Sequence, residues 1–262
     1  MKKQTAGRER LGELAPKFAE LNDDVLFGEV WSRESQLSLR DRSMITIAAL
    51  FSAGLYVDLY YQHRIDPNIE PEEVAGVMSD LIEEGKILHW GISEANEEYL
   101  RRAHEVCPVT CIQNRYSMMA RWHENLFPVL EELNIGYVAF SPLANGILSD
   151  AFTKGEQFDK ADYRSAMPQY SDEAFEQNRE LLSLIRNLAE EKNATPAQIS
   201  LAWMLCKKPY IVPIPGSRKA ERIRENLGAA EIALTADEVM SIDKKLDHME
   251  MSAVFGGSPV KK

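Results

Sequence analysis

The run Gly216-Ser217-Arg218-Lys219 has the chemistry of an anion receptor. It leads into a segment carrying Arg222, Glu225 and Asn226. If a helix begins there, its first backbone N–H groups bind anions, and Ser217 adds a hydroxyl donor. Arg218 and Arg222 can fork onto a phosphate. The plainer reading of the same residues is a solvated basic helix start. Four earlier positions share the character of a ligand-facing exit. They are His63-Arg64, Ser93-Glu94, Gln113-Asn114 and Phe140-Ser141-Pro142-Leu143. Each follows a short apolar run, and in a barrel of parallel strands the reactive groups stand where strands end. A histidine at a strand end, such as His63, is by itself more readily a core residue than a functional one.

The elements that must position these groups read as alternating strands and helices from Val57 onward. That pattern argues for a parallel α/β architecture. Strands are expected at Val57–Gln62, Ile87–Ile92, Thr110–Asn114, Gly136–Ser141 and Tyr210–Ile214. Helices are expected near Glu72–Glu84, Glu97–Glu105, Glu124–Leu133 and as a long pair across Asp172–Cys206. Pro71 suits a first helical position, and Glu72 and Glu73 suit the positive end of the helix dipole. Thr195-Pro196-Ala197-Gln198 and Thr235-Ala236-Asp237-Glu238 read as capping boxes. Asp150–Tyr170 reads as a long surface loop, of a length that is usually functional.

Residues 1–54 differ. Leu14, Phe18, Leu21, Val25, Leu26 and Val30 recur at helical spacing, and Met44–Phe51 is nearly all apolar before a stop at Gly54. Two helices are expected there, with a domain boundary at Gly54. A helix apolar on all sides must be buried, in its own core or in an oligomer.

Composition narrows the function classes. The chain has 262 residues, 45% hydrophobic and 27% charged, with a formal net charge of −11. That charge disfavours a general nucleic-acid surface, so a basic anion site must be local. No apolar run reaches the length of about 20 residues that spans a bilayer. The three cysteines Cys107, Cys111 and Cys206 lack CxxC spacing, which fits a reduced, cytoplasmic setting. Packing in strand cores is the plainer reading of Cys107 and Cys111, and a redox pair the alternative. No metal site is expected.

Several motifs together resemble the aldo-keto reductase family. They are Val57-Asp58-Leu59-Tyr60-Tyr61-Gln62-His63-Arg64, Glu84-Gly85-Lys86-Ile87 with Trp90-Gly91-Ile92-Ser93, and Ile112-Gln113-Asn114-Arg115-Tyr116-Ser117. Ala139-Phe140-Ser141-Pro142-Leu143 and Ile214-Pro215-Gly216-Ser217-Arg218, continuing to Glu225-Asn226-Leu227-Gly228, complete the set. The resemblance covers about residues 55–262, and it implies NADP(H)-dependent reduction of aldehydes or ketones. By motif position Ser93 and Gln113 would hold the nicotinamide carboxamide, and Phe140 would lie against the ring. Ser141 and Leu143 would touch the pyrophosphate. Gly216, Ser217, Arg218, Arg222, Glu225 and Asn226 would take the 2′-phosphate end of the adenosine. His63 matches the catalytic histidine that orients the substrate carbonyl.

The chain also departs from that family. The aspartate, tyrosine acid and lysine of the family precede its histidine-bearing strand, and those first three strand–helix units have no counterpart here. Residues 1–54 instead resemble the N-terminus of carboxymuconolactone decarboxylase-like proteins. The motifs are Gly7-Arg8-Glu9-Arg10-Leu11-Gly12, Phe27-Gly28-Glu29-Val30-Trp31 and Leu37-Ser38-Leu39-Arg40-Asp41-Arg42, with Thr46-Ile47-Ala48-Ala49-Leu50. The expected fold is therefore an incomplete TIM-type (β/α) barrel of about five parallel units after two N-terminal helices. Five strands do not close a barrel built for eight. Either the N-terminal helices cover the opening or chains associate as a homo-oligomer to cover it. The expected function is an aldo-keto reductase-type oxidoreductase with impaired turnover of a small carbonyl substrate. The alternatives are an inactive NADP(H)-binding remnant, or a helical decarboxylase-like oligomerisation protein carrying a passive reductase fragment.

Overall fold

The structure is a computed structural model that describes residues 57–155, 158–159, 162–217 and 219–254. The expectations for residues 1–54, and for Arg218, lie outside the described residues. The chain divides into two compact units, Met1–Asp58 with Leu81–Leu88, and Leu59–Asp80 with His89–Lys262. In the first unit, Gly85 ends a helix with φ +69°, and its N–H and that of Lys86 satisfy the carbonyls of Ile82 and Leu81. Glycine reaches that left-handed backbone without steric cost.

The sheet has five strands in the order β1 (Val57–Gln62), β2 (Ile87–Ser93), β3 (Cys111–Arg115), β4 (Gly136–Phe140) and β5 (Ile211–Pro213). Neighbours from β2 to β5 pair in parallel. Among the described residues the sheet is open, with β1 and β5 at its edges. The helices are α1 (Pro71–Glu83), α2 (Glu97–Val106), α3 (Phe127–Leu133), α4 (Asp172–Gln177), α5 (Arg179–Glu191), α6 (Pro196–Lys207), α7 (Ala220–Leu227) and α8 (Ala236–Leu246). Short 3₁₀ turns at Tyr163–Ala166 and Pro168–Tyr170 break up the expected loop.

Local chemistry explains most of the boundaries. Pro71 opens α1, and Thr195 and Thr235 form complete capping boxes with Gln198 and Glu238. Asn134 closes α3 in the left-handed conformation, which a short polar side chain tolerates. The expected long pair across Asp172–Cys206 is instead three helices. Buried Asn178 stands at the first break, and its amide is spent on the C-terminal segment. Its Nδ2 donates to Ser252 Oγ at 2.8 Å, and its Oδ1 accepts the Ser252 N–H at 2.9 Å.

The two faces of the sheet differ. Trp90, Ile92, Ile112, Tyr137, Ala139 and Ile211 share one face and are all buried. They belong to the core that also holds Leu100, Leu130 and Trp203. Tyr116 stacks on Trp203 at 5.4 Å and meets Tyr137 and Phe127 edge-on at 5.5 and 5.9 Å. Such pairs each add about 0.5–1.5 kcal/mol beyond burial. Lys207 closes this corner, reaching Glu124 Oε1 at 2.5 Å and Asp243 Oδ2 at 3.1 Å.

The opposite face carries Gly91, Cys111, Gln113, Arg115, Val138 and Phe140, as period-two alternation and the strand register require. It becomes more open toward the β5 edge, where Val212 is 55% and Ile214 45% exposed. Cys111 is buried on β3, as expected of strand packing, whereas Cys107 is buried as the C-cap of α2 and lies on no strand.

Candidate functional site

Parallel pairing brings the ends of β2, β3 and β4 side by side. Ser93 pairs in register with Gln113, and Arg115 with Phe140. Ser93 is buried, and its Oγ donates to the Gln113 carbonyl at 2.9 Å. That bond fixes the serine rotamer and leaves its oxygen free to accept. Gln113 is half-buried beside it, and Phe140 is half-buried on the next strand. Three of the expected cofactor residues thus stand together at the same end of adjacent strands.

Glu94 turns the chain sharply at φ +62°, a conformation that costs a non-glycine residue roughly 1 kcal/mol. Two bonds hold it there. Its N–H donates to the Gln113 carbonyl at 3.3 Å and to Asn114 Oδ1 at 2.8 Å. Its Oε1 accepts the Arg115 N–H at 3.1 Å, and His123 Nε2 stands 3.8 Å from its Oε2. Burial opposes ionisation of Glu94. The His123 ring, the Arg115 amide and the charge of Arg64 outweigh it, and its pKa falls below the ordinary carboxylate value.

Arg115 is the residue that sequence reading missed. Its guanidinium lies over the Phe140 ring, 5.0 Å from the centroid. Burial lowers its pKa, Glu94 offsets part of that, and Arg64 adds to it. Strand alternation one step past Gln113 put Arg115 on this face, and that was the available signal. His123, in the connection before α3, carried none.

At the β1 exit His63 and Arg64 are exposed. Within β1, Tyr61 shares a 3.0 Å hydrogen bond with Cys111 Sγ. Its ring lies so close to Gly91 that a Cβ there would sit 2.5 Å from Tyr61 Cε1. Burial first, and then the Cys111 thiol, hold the Tyr61 hydroxyl well above an ordinary phenol.

After β4 the backbone is strained. Ser141, Ala144 and Asn145 have φ of 51°, 47° and 62°, and Gly146 follows at 111°. Left-handed non-glycine residues concentrate at functional sites, where surrounding structure holds them. Leu143 is half-buried within this run.

The remaining expected residues form a second group around the start of α7. Ser217 Oγ accepts the Lys219 N–H at 3.1 Å, while Gly216 and Arg222 are exposed. Glu225 and Asn226 are half-buried, and the Glu225 carbonyl accepts Gln198 Nε2 at 3.0 Å. No residue of α7 is fully buried. Among the described residues no group of three or more His, Cys, Asp or Glu side chains could hold a metal ion. No described helix is long and apolar enough to cross a membrane.

The model of the Aldo/keto reductase family matches residues 52–247. This chain belongs to the aldo/keto reductase family. It is 36% identical over 199 residues to aldo-keto reductase str7 of Strobilurus tenacellus, covering 74% of this chain and 59% of that protein. It is 37% identical over 190 residues to probable aldo-keto reductase 1 of Glycine max, covering 71% and 54%. The chain therefore spans little more than half the length of these curated relatives. Among solved structures, the thermostable aldo-keto reductase Tm1743, bound to the inhibitor epalrestat, superposes with a TM-score of 0.60. Its identity is 27%, and the match covers 78% of this chain and 66% of that one. The glycerol dehydrogenase AKR11B4 of Gluconobacter oxydans shares the fold at 23% identity and a TM-score of 0.73, covering 82% and 67%. These neighbours are barrel members of the aldo/keto reductase family, whereas the described sheet of this chain is not closed.

Proposed function

We propose that this aldo/keto reductase chain binds NADP(H) at the strand ends of β2–β4 and the start of α7, and directs it toward aldehydes or ketones. The observation that carries this reading is the register that pairs Ser93 with Gln113 and sets Phe140 on the same face two residues further along the next strand, with Ser93 Oγ already oriented by the Gln113 carbonyl. Ser93 and Gln113 would hold the carboxamide, and Phe140 would pack on the ring. Ser141 and Leu143, on the strained turn, would meet the pyrophosphate. Ser217, Arg218 and Arg222 would take the 2′-phosphate, with Gly216, Glu225 and Asn226 completing that end. Asn114 Nδ2 lacks a hydrogen-bond partner among the described residues, and so does Arg115 Nε. Of the two, Arg115 lies on the face of Gln113 and Phe140. When bound, the cofactor would supply a hydride to a carbonyl carbon, with the proton on oxygen drawn from water. His63 would orient that carbonyl.

A second reading is cofactor binding with little turnover. Tyr61 favours it. It is one of two tyrosines on β1, just before His63, yet its hydroxyl is engaged by Cys111 and held far above the pKa of a useful acid, and burial raises its neighbour Tyr60 as well. An NADPH titration followed by fluorescence, with a panel of aldehydes added afterwards, separates the two. Saturable binding with carbonyl-dependent NADPH oxidation supports the reductase. Binding without oxidation supports the second reading. No binding overturns both.

A further inference from the structure

The two capping boxes use different residues at the same position. The third helical residue of α8 is Glu238, and that of α6 is Gln198. Both complete their box with a side-chain oxygen. Gln198 Oε1 accepts the Thr195 N–H at 3.0 Å, and Glu238 Oε2 accepts the Thr235 N–H at 2.7 Å. A glutamine also carries an amide nitrogen that a glutamate lacks. Gln198 directs it at α7, donating Nε2 to the Glu225 carbonyl at 3.0 Å.

Little else fastens α7. None of its residues is fully buried, and its apolar side chains Ile223 and Leu227 are 44% and 69% exposed. Glu225 is among the last four residues of the helix, whose carbonyls have no partner within it. Among the described residues, the Gln198 bond is the one hydrogen bond that α7 makes with another helix or strand. Gly228 leaves room for it, since a Cβ there would stand 2.6 Å from Gln198 Nε2. The φ of Gly228 is −61°, ordinary helical backbone. The glycine therefore supplies space for the amide, not conformational freedom.

We propose that Gln198 is a positioning residue for the 2′-phosphate end of the cofactor, holding α7 against α6 so that Arg222, Glu225 and Asn226 are ordered before the ligand arrives. This rests on the cofactor reading above. Residues three and four apart share a helix face, so these three side chains stand together, and Gln198 grips the backbone at one of them. Without that grip, the weakly packed helix would be ordered only on binding, and ordering on binding costs affinity. The loss falls on NADPH, because NADH carries no 2′-phosphate for Arg222 to meet.

The test is parallel fluorescence titration of the full chain with NADPH and NADH in the parent, Gln198→Glu, Gly228→Ala and Thr195→Val. Gln198→Glu keeps an oxygen for the Thr195 N–H and loses the donor to Glu225. Gly228→Ala displaces the Gln198 amide without adding charge, so repulsion of a phosphate cannot explain its effect. In both, NADPH should bind about 3- to 10-fold more weakly, the worth of one neutral hydrogen bond, while NADH affinity is unchanged. Amide hydrogen exchange in the cofactor-free protein should accelerate across Ala220–Leu227 and not across Ala236–Leu246. Thr195→Val breaks the box at its hydroxyl and leaves the bond to α7, so it should lower the melting temperature and keep the preference for NADPH. Unchanged exchange in α7 overturns the proposal, as does a full NADPH preference in Gly228→Ala. Loss of the preference in Thr195→Val also overturns it, by showing a general effect of stability. If Gln198→Glu does not fold, Gly228→Ala decides. A parent without NADPH preference overturns the 2′-phosphate reading and this proposal with it, whereas a preference that the variants retain overturns this proposal alone.

Discussion

Glu94 Oε1 accepts the main-chain N–H of Arg115 at 3.1 Å, so a carboxylate fastens the turn after β2 to the last residue of β3. The same carboxylate leaves the Arg115 side chain unpaired, and the guanidinium lies over Phe140. One acidic residue thereby holds the backbone of the site together while leaving a cation in it uncommitted.

This relationship makes part of the stability pH-dependent. The folded pKa of Glu94 is depressed, so its contribution is present above the unfolded carboxyl value of about 4.3. It is lost as pH falls through the folded value. Glu94→Gln should cost about 1 kcal/mol at pH 7, the difference between a charge-assisted and a neutral hydrogen bond. Urea unfolding of parent and variant should show that gap closing as the pH is lowered into the acid range.

Gln113→Ala should weaken NADPH binding about 3- to 10-fold, the worth of one neutral hydrogen bond. Phe140→Ala should weaken it further by removing the ring's packing surface. Fluorescence titration measures both. Unchanged affinity in the two variants would remove the strand-end assignment while leaving the family membership untouched.

Replacing Arg218 and Arg222 together by Ala should erase most of a preference for NADPH over NADH. A charge-assisted contact is worth about 1.5–3 kcal/mol, roughly a 10- to 100-fold change in relative affinity. Parallel titrations with the two cofactors check this. A parent protein that binds both equally would contradict the 2′-phosphate role.

Gly91→Ala should destabilise by about 1–3 kcal/mol, the usual cost of overpacking. The new Cβ would lie 2.5 Å from Tyr61 Cε1 and 2.8 Å from the Cys111 carbonyl oxygen. The Tyr61 ring can shift, but the Cys111 backbone is held in the ladder of β3. Chemical denaturation reads the loss, and Tyr61→Ala combined with Gly91→Ala should recover only part of it.

Lys207→Met should cost about 3 kcal/mol, because Glu124 and Asp243 would keep their charges beside a buried aromatic cluster without the ammonium between them. Thermal unfolding measures it. Loss below about 0.5 kcal/mol would place the network in the range of exposed surface pairs.

What was legible in the sequence was whatever local chemistry dictates. Thr195 and Thr235 announce their capping boxes because a side chain three residues along completes them. Each strand was found within a residue or two of its ends, since β-branched and apolar runs between turn residues are a short-range signal. Ser93, Gln113 and Phe140 could be singled out because each stands at a strand exit. The break at Asn178 was not legible, as its cause is Ser252, far along the chain. The site was decided in the same way. No spacing rule brings Glu94 to the Arg115 amide, turns the Arg115 guanidinium onto Phe140, or leaves His123 facing Glu94 without a hydrogen bond. Those contacts arise only once β2, β3 and β4 pair in one register, because register determines which strand-end side chains become neighbours and which donors are left without partners.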